Sequence, residues 1–310
     1  MLSQRTFVLR TLTFAASALA MLLMCLAAGA QTYSRGQIVS PAYEGWEKND
    51  DGSFNLLFGY MNSNWEEEPD VPIGPGNSFQ PGVPDRGQPT HFFPRRNRFV
   101  FRVQVPADFG EQELVWTLTT HGKTVKAYGS LKQDYFIDNM VLTSETGAIG
   151  SGVTTPEIRA NKPPVLEAAG DRVRTVKVGE PLTLSAHVTD DGVPKIRRRV
   201  RRVPDEIKDV RLMPPHYETV SSATGLWVAC YLYRGPGKVN FTPPQPKTWE
   251  DTRSGANSQW APYWQPPPPP ADGKWAVTAT FDEPGTYTVR WHATDGALWA
   301  DEDIVVTVTR

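Results

Sequence analysis

The stretch that decides the fold is Pro284-Gly-Thr-Tyr-Thr-Val-Arg-Trp-His-Ala-Thr-Asp-Gly296. Every second residue from Tyr287 to Ala293 is apolar, and the run lies between the turn-forming pairs Pro-Gly and Asp-Gly. Strict alternation bounded by turn residues predicts a β-strand with one buried face. The same alternation returns over residues 304–308, so we predict that both runs are strands of a β-sandwich.

The composition extends this prediction to the whole chain. Proline accounts for 28 of the 310 residues, which is about twice the usual ~5% and disfavours long helices. With 39% hydrophobic and 21% charged residues, the chain can bury a core, which excludes a wholly disordered protein and a membrane-spanning bundle. We therefore predict an all-β fold made of two β-sandwich-like domains.

The first 30 residues have the features of a secretory signal peptide. Arg5 and Arg10 precede an apolar stretch at 11–28, and Ala28-Gly29-Ala30 matches an Ala-x-Ala cleavage site. Removing these two arginines from the 32 basic residues leaves 30 against 34 acidic ones, a net charge of −4. Such a charge provides no global field for holding nucleic acid. We expect a secreted or periplasmic protein with no transmembrane segment after leader cleavage.

The N-terminal part of the mature chain is predicted to form an antiparallel β domain. One strand is indicated by four alternating apolar residues that we expect on one face: Phe99, Phe101, Val103 and Val105. A hairpin is predicted around His121-Gly122, with Gly122 at positive φ. Residues 45–96 resemble segments of uncharacterised secreted bacterial proteins, most distinctively in Pro84-Asp-Arg-Gly-Gln-Pro-Thr-His-Phe92. That resemblance implies secretion and no activity.

The C-terminal part resembles a known family. Asn161-Lys-Pro-Pro-Val165, Val178-Gly-Glu-Pro-Leu-Thr-Leu184 and the stretch 284–296 are similar to an immunoglobulin-like (Ig-like) domain of the PKD, or polycystic kidney disease repeat, type. The resemblance covers 161–194 and 274–310. It implies an Ig-like sandwich used for interaction, with Tyr287 near the start of the penultimate strand as a tyrosine corner.

These patterns divide the chain into four parts. They are a signal peptide at 1–30, an N-terminal β-sandwich-like domain at 31–150, a linker at 151–160, and an Ig-like/PKD-type domain at 161–310 with insertions within 195–273. Cys230 is the one cysteine beyond the leader, so an intramolecular disulfide is excluded. Because it lies in an apolar run, we expect Cys230 to be buried and unpaired.

The candidate ligand-binding residues lie in the aromatic segment 249–275. They are Trp249, Trp260, Tyr263 and Trp264, next to the five-proline run Pro266–Pro270. A polyproline run costs little entropy to present, and indole rings stack on sugars or prolines. The ligand class is then a carbohydrate or a protein partner. A second interpretation stays open, in which these side chains cover the sandwich core.

The sequence contains no catalytic motif that we can identify. Its five histidines are not at metal-ligand spacing, and the motifs His-Glu-x-x-His and Cys-x-x-Cys are absent. We therefore predict a non-catalytic binding or scaffolding protein without a resident cofactor. The alternative is a hydrolase that acts on an envelope or extracellular polymer, with its site in the proline-rich loop 66–98.

Two charged clusters each leave two interpretations open. Asp190-Asp191 and Asp301-Glu302-Asp303 supply the oxygen ligands that calcium prefers if they meet at one end of the sandwich, and otherwise they are solvated turns. Lys195–Arg202 carries six positive charges in eight residues. This run either binds an anionic polymer or pairs with the acidic residues that follow it.

The two interpretations of the aromatic segment predict different results for Trp264→Ala. Removing a binding anchor should cost about 2 kcal/mol or more of affinity, roughly thirtyfold, and leave folding nearly intact. Removing a core-covering tryptophan should cost about 3 to 5 kcal/mol of stability. The melting midpoint of the purified variant distinguishes them, because a large drop rules out the binding anchor.

Overall fold

The first half of the chain (residues 34–146) forms two three-stranded antiparallel sheets. The computed structural model describes residues 34–146, 154–196, 223–249 and 266–310. One sheet contains β1 (Val39–Lys48), β2 (Phe54–Asn62) and β4 (Arg95–Val105) in that order, and the other contains β3 (Asn77–Gln80), β5 (Leu114–Thr120) and β6 (Lys123–Gly129). A 3₁₀ turn at Gln133–Tyr135 and helix α1 (Asn139–Glu145) follow.

The second half (described from residue 154 onward) forms two four-stranded sheets after the short helix α2 (Pro156–Arg159). One sheet has the order β11 (Val239–Thr242), β12 (Lys274–Phe281), β9 (Leu182–Thr189) and β7 (Val165–Ala168). The other has the order β10 (Trp227–Arg234), β13 (Gly285–Thr294), β14 (Trp299–Thr309) and β8 (Val173–Lys177). Only the β14–β8 pairing is parallel among the described strand pairs. The prediction of an all-β fold with two sandwiches is confirmed.

The core of the first sandwich is largely aromatic. Phe58 of the first sheet packs against Phe79 of the second with ring centroids 5.1 Å apart, and Phe79 stacks on Trp116 at 5.9 Å. The indole Nε1 of Trp116 donates a hydrogen bond to Asn77 Oδ1 at 2.9 Å. Because that bond satisfies the indole N–H, Trp116 can be fully buried without an unpaired polar group.

Tyr287 confirms the expected position near the start of the penultimate strand. It is the third residue of β13, its ring is fully buried, and its hydroxyl donates to the backbone oxygen of Glu283 at 2.8 Å. A buried tyrosine bonded to the backbone a few residues upstream is the tyrosine corner of Ig-like sandwiches. The corner fixes the turn that leads into β13.

The hairpin between β5 and β6 also agrees with the prediction. Thr120 pairs with Lys123, and the two turn residues His121 and Gly122 have φ values of 48° and 72°. Two consecutive positive φ angles define the turn that matches the twist of the flanking strands. Glycine suits the second position because it has no Cβ to oppose positive φ.

The expectation for Phe99 was wrong. Phe58 pairs with Phe101 and Tyr60 pairs with Asn97, so β4 contains two more residues than β2 over this interval. This bulge, in which Phe99 has φ of 52°, separates Phe99 from the sandwich core. Phe99 instead stacks on Trp299 of the second half, with ring centroids 5.6 Å apart.

Cys230 is fully buried and free, as predicted. Its strand, β10, is covered on both faces, which explains why the run reads as continuously apolar. Val228 and Leu232 join Cys230 in the core of the second sandwich. On the opposite face, Tyr231 packs against Phe93 of the first half.

The described residues between Arg35 and Arg310 form one compact unit. The backbone oxygen of Tyr233 accepts hydrogen bonds from the amides of Thr90 and His91, so the end of β10 lies against the loop 66–98. Of the predicted linker, residues 154–160 contain α2, and residues 151–153 lie outside the described part of the chain. The division into separately folding domains at 31–150 and 161–310 stays a prediction.

Tyr287→Phe tests the contribution of the corner. The change keeps the buried ring and removes one hydrogen bond, so we expect a loss of about 1 kcal/mol in the free energy of unfolding. Tyr128→Phe is the matched control, because Tyr128 is 53% exposed. Denaturant titration of both variants measures the difference, and equal stabilities would show that the hydroxyl of Tyr287 contributes nothing.

Candidate functional site

A cleft of about 480 Å³ opens where the two halves meet. The first half contributes residues from the start of β4 and the loop before it, including Phe93. The second half contributes side chains from β10, β13 and β14, including Tyr231, His292 and Asp301. This volume lies within the range of about 300 to 1,000 Å³ that is usual for small-molecule sites.

A histidine and an aspartate are hydrogen-bonded to each other in this cleft. His292 of β13 lies directly opposite Asp301 of β14, and its Nδ1 is 2.6 Å from Asp301 Oδ1. Burial raises the pKa of Asp301, but the charge and hydrogen bond of His292, together with nearby arginines, outweigh burial and hold that pKa below its usual value. The ionised carboxylate accepts a hydrogen bond from Nδ1–H, which orients the ring and leaves Nε2 for other partners.

Tyr231 supplies a hydrogen-bond donor beside this pair. Its ring centroid is 6.4 Å from that of His292 and 5.4 Å from that of Phe93. Burial, reinforced by the negative charge of Asp301, raises the pKa of Tyr231 well above 10. The hydroxyl therefore stays protonated at neutral pH. Neither this hydroxyl nor Nε2 of His292 has a hydrogen-bond partner among the described residues.

The arginines of the cleft already contact other side chains. Arg96 binds Glu44 at 2.7 Å, Arg98 pairs with Glu145, and the guanidinium of Arg95 lies 4.0 Å from the ring centre of Trp65. Because these cations are engaged, their charge does not define an anion site. Two further polar groups in the cleft are the hydroxyl of Tyr231 and the imidazole of His292.

His91 lies in the same cleft and is held between two carboxylates. Nδ1 is 2.8 Å from Asp70 Oδ1, and Nε2 is 3.1 Å from Glu68 Oε2. Burial lowers the pKa of His91, but the hydrogen bonds and charges of the two carboxylates act more strongly and raise it to about 9. His91 is therefore an imidazolium at neutral pH, and it ties the loop 66–98 together.

The structure places one of the four predicted ligand-binding residues. Trp249 lines the cleft but is 7% exposed, and the ammonium of Lys247 lies 4.7 Å from the centre of its ring. Trp260, Tyr263 and Trp264 lie outside the described residues. Sequence analysis missed His292, Asp301 and Tyr231, since their proximity depends on strand register and on the docking of the two halves.

The acidic residues at the start of β14 are all bound to basic side chains. Asp301 pairs with His292, Glu302 binds Arg172 at 2.7 Å, and Asp303 binds Arg290 at 2.7 Å. Of the acidic clusters considered for calcium, only Asp190-Asp191 keeps its carboxylates out of such pairs in the described part of the chain. No three His, Cys, Asp or Glu side chains there form a metal-binding group.

Comparisons with known proteins give no family for this chain. No family model and no curated protein matches it. The structure is similar to domains 4 and 5 of the S-layer protein SbsC at 11% identity, with a TM-score of 0.22, covering 64% of this chain and 66%, just under two thirds, of that one. It is similar to a chimeric titin Z1Z2 at 11% identity, with a TM-score of 0.23, covering 88% of this chain and 99% of that one. It is also similar to the D0-D1 domain of intimin at 10% identity, with a TM-score of 0.22, covering 87% of this chain and all of that one. TM-scores this low carry no argument about function.

Within the described ranges, no helix is long and apolar enough to cross a bilayer.

His91 should make the stability of the fold depend on pH. Its pKa is raised from 6.5 to about 9 in the folded protein. Its contribution is therefore fully present below about pH 6.5 and is lost as the pH rises through about 9. Because Glu68 and Asp70 are nearly half exposed, water screens the pairs and we expect about 1 to 2 kcal/mol.

Denaturant titrations of the native protein and His91→Gln measure this contribution. The difference in the free energy of unfolding should be largest near about pH 6 and should shrink by about pH 10. His187→Gln, at an exposed position on β9, is the control. A difference that is constant over this range would contradict the assigned charge of His91.

Proposed function

We propose that this protein is a secreted or periplasmic, non-catalytic binding protein that holds a carbohydrate in the cleft between its two halves. The observation that carries the proposal is the combination of His292, Asp301 and Tyr231 beside an aromatic wall. The imidazole is oriented by the carboxylate, and the tyrosine hydroxyl is a donor of fixed protonation state.

The chemistry of this wall suits a sugar ring. Saccharides present hydroxyl groups that both donate and accept hydrogen bonds, and the hydroxyl of Tyr231 and the imidazole of His292 are groups that can bond to them. Pyranose rings also have apolar C–H faces, which pack on aromatic side chains. Phe93 and Tyr231 are both partly exposed and lie against each other, so they supply such a surface.

The aromatic segment remains part of this proposal. Trp249 lies in the cleft, which is why we keep it as a ligand-binding residue, together with Trp260, Tyr263 and Trp264 from the same segment. These side chains would extend the aromatic surface along a longer saccharide. A protein partner that presents a proline-rich or aromatic surface is the other ligand that this segment fits.

The hydrolase alternative has less support. A glycoside hydrolase needs two carboxyl groups at a defined separation, one of them with a raised pKa. In the loop 66–98, Glu68 and Asp70 bind His91, Asp85 binds Arg234, and Glu67 binds His121. Because these four carboxylates are occupied by basic side chains, we favour binding over catalysis.

Substitutions in the cleft test the proposal. His292→Gln and Tyr231→Phe each remove one hydrogen-bonding group, so each should weaken binding of a short oligosaccharide about tenfold. Isothermal titration against a panel of neutral and acidic oligosaccharides first identifies the saccharide that the native protein binds. The same titration with the two variants then measures the loss.

The controls carry the same changes at exposed positions. His187 lies on β9 and Tyr128 lies on β6, and both side chains are exposed outside the cleft. His187→Gln and Tyr128→Phe should bind as the native protein does. The proposal fails if no saccharide in the panel binds, or if the cleft variants and the controls bind equally well.

A further inference from the structure

Three turns bring side-chain oxygens together at one end of the second sandwich. Asn161 precedes β7, and Asp190 and Asp191 follow β9. The first residues of β7 pair with the last residues of β9, so these two turns lie at the same end. Asp295 follows β13, and its Oδ2 accepts a hydrogen bond from Asn161 Nδ2 at 3.0 Å. The three turns therefore converge on one place.

Two oxygens of this cluster are buried without a hydrogen-bond partner. They are Oδ1 of Asn161, a residue that is 4% exposed, and Oδ1 of Asp190. Leaving a buried acceptor unsatisfied carries a free-energy cost, because the group has lost its hydrogen bonds to water. Rotating the amide of Asn161 does not relieve this cost, because it would turn Oδ1 toward the carboxylate of Asp295. A positively charged group that reaches these oxygens would satisfy both.

The described residues also leave the negative charge of the cluster uncompensated. Asp295 is fully buried, and the charge of Asp190 acts on it. Backbone amides donate hydrogen bonds to the aspartates. Gly192 N donates to Asp190 Oδ2 at 2.8 Å, and Lys162 N donates to Asp191 Oδ2 at 3.1 Å. In the part of the chain that the structure describes, no Lys, Arg or His side chain forms an ion pair with these aspartates. Amide capping orients the carboxylates but leaves their charge in place.

We propose that Asn161, Asp190 and Asp295 form a binding site for a divalent cation, and that calcium is the ion the site favours. All of these ligand atoms are oxygens, and they lie on turns. Calcium accepts six to eight such ligands in irregular geometry, whereas magnesium requires a near-ideal octahedron. The amide oxygen of Asn161 is the ligand that a search for acidic groups alone overlooks. Backbone carbonyls and water would complete the coordination.

The test uses the full mature chain after removal of metals with a chelator. Adding calcium at about 100 times its dissociation constant should raise the melting midpoint by about 5 °C. Asp190→Asn should abolish this shift, because it lowers the charge of the site while keeping the oxygen that caps Gly192. Asn161→Ala should also abolish it without changing any charge. Isothermal titration with calcium chloride measures binding directly.

Asp51→Asn is the matched control. Asp51 caps Ser53 N at 2.9 Å in an exposed turn of the first half, so it shares the local geometry of Asp190 without the buried cluster. This variant should keep the full calcium shift. The proposal is overturned if calcium neither binds nor shifts the native midpoint. It is also overturned if Asp190→Asn and Asn161→Ala respond as Asp51→Asn does, or if magnesium reproduces the shift at equal concentration.

Discussion

A buried guanidinium joins the two halves of this protein. Arg290 is 7% exposed, donates hydrogen bonds to both carboxylate oxygens of Asp303 at 2.7 and 2.8 Å, and donates a third to the backbone oxygen of Val100 at 2.7 Å. Its guanidinium lies 3.5 Å from the ring centre of Tyr233. A cation removed from water is tolerated only when it is paired and hydrogen-bonded. The partners of Arg290 come from both halves, so separating the halves would expose or strand this charge.

The same junction gives the distinctive run 84–92 a structural role. Asp85 binds the guanidinium of Arg234 through both carboxylate oxygens, at 2.8 and 2.9 Å, and the hydroxyl of Tyr233 donates to the backbone oxygen of Gly87 at 2.6 Å. Residues that look like a surface loop in the sequence are therefore the surface that meets the end of β10. The cleft lies beside this contact, since its walls include residues of β4 and β10. Docking of the halves thus creates the candidate site.

Local pattern predicted the features that depend on neighbouring residues. Alternation located the strands, the pair His121-Gly122 located a hairpin, and the resemblance placed Tyr287 at its corner. The features that were missed depend on partners far along the chain. Because of the bulge in β4, Phe99 does not join the core of the first sandwich. It stacks instead on Trp299, which is distant in sequence. His292 and Asp301 become a pair only once β13 and β14 adopt their register, and no motif in the sequence marks it.

The turn between β13 and β14 connects the two proposed sites. Asp295 Oδ1 accepts hydrogen bonds from the amides of Ala297 and Leu298, at 2.6 and 2.8 Å, while Oδ2 binds Asn161. One carboxylate therefore shapes the turn that sets the register of His292 opposite Asp301. A cation held by Asp295 would stabilise this turn and, through it, the orientation of the imidazole in the cleft. The end of the sandwich and the cleft would then respond together to calcium, because a single two-stranded hairpin carries both.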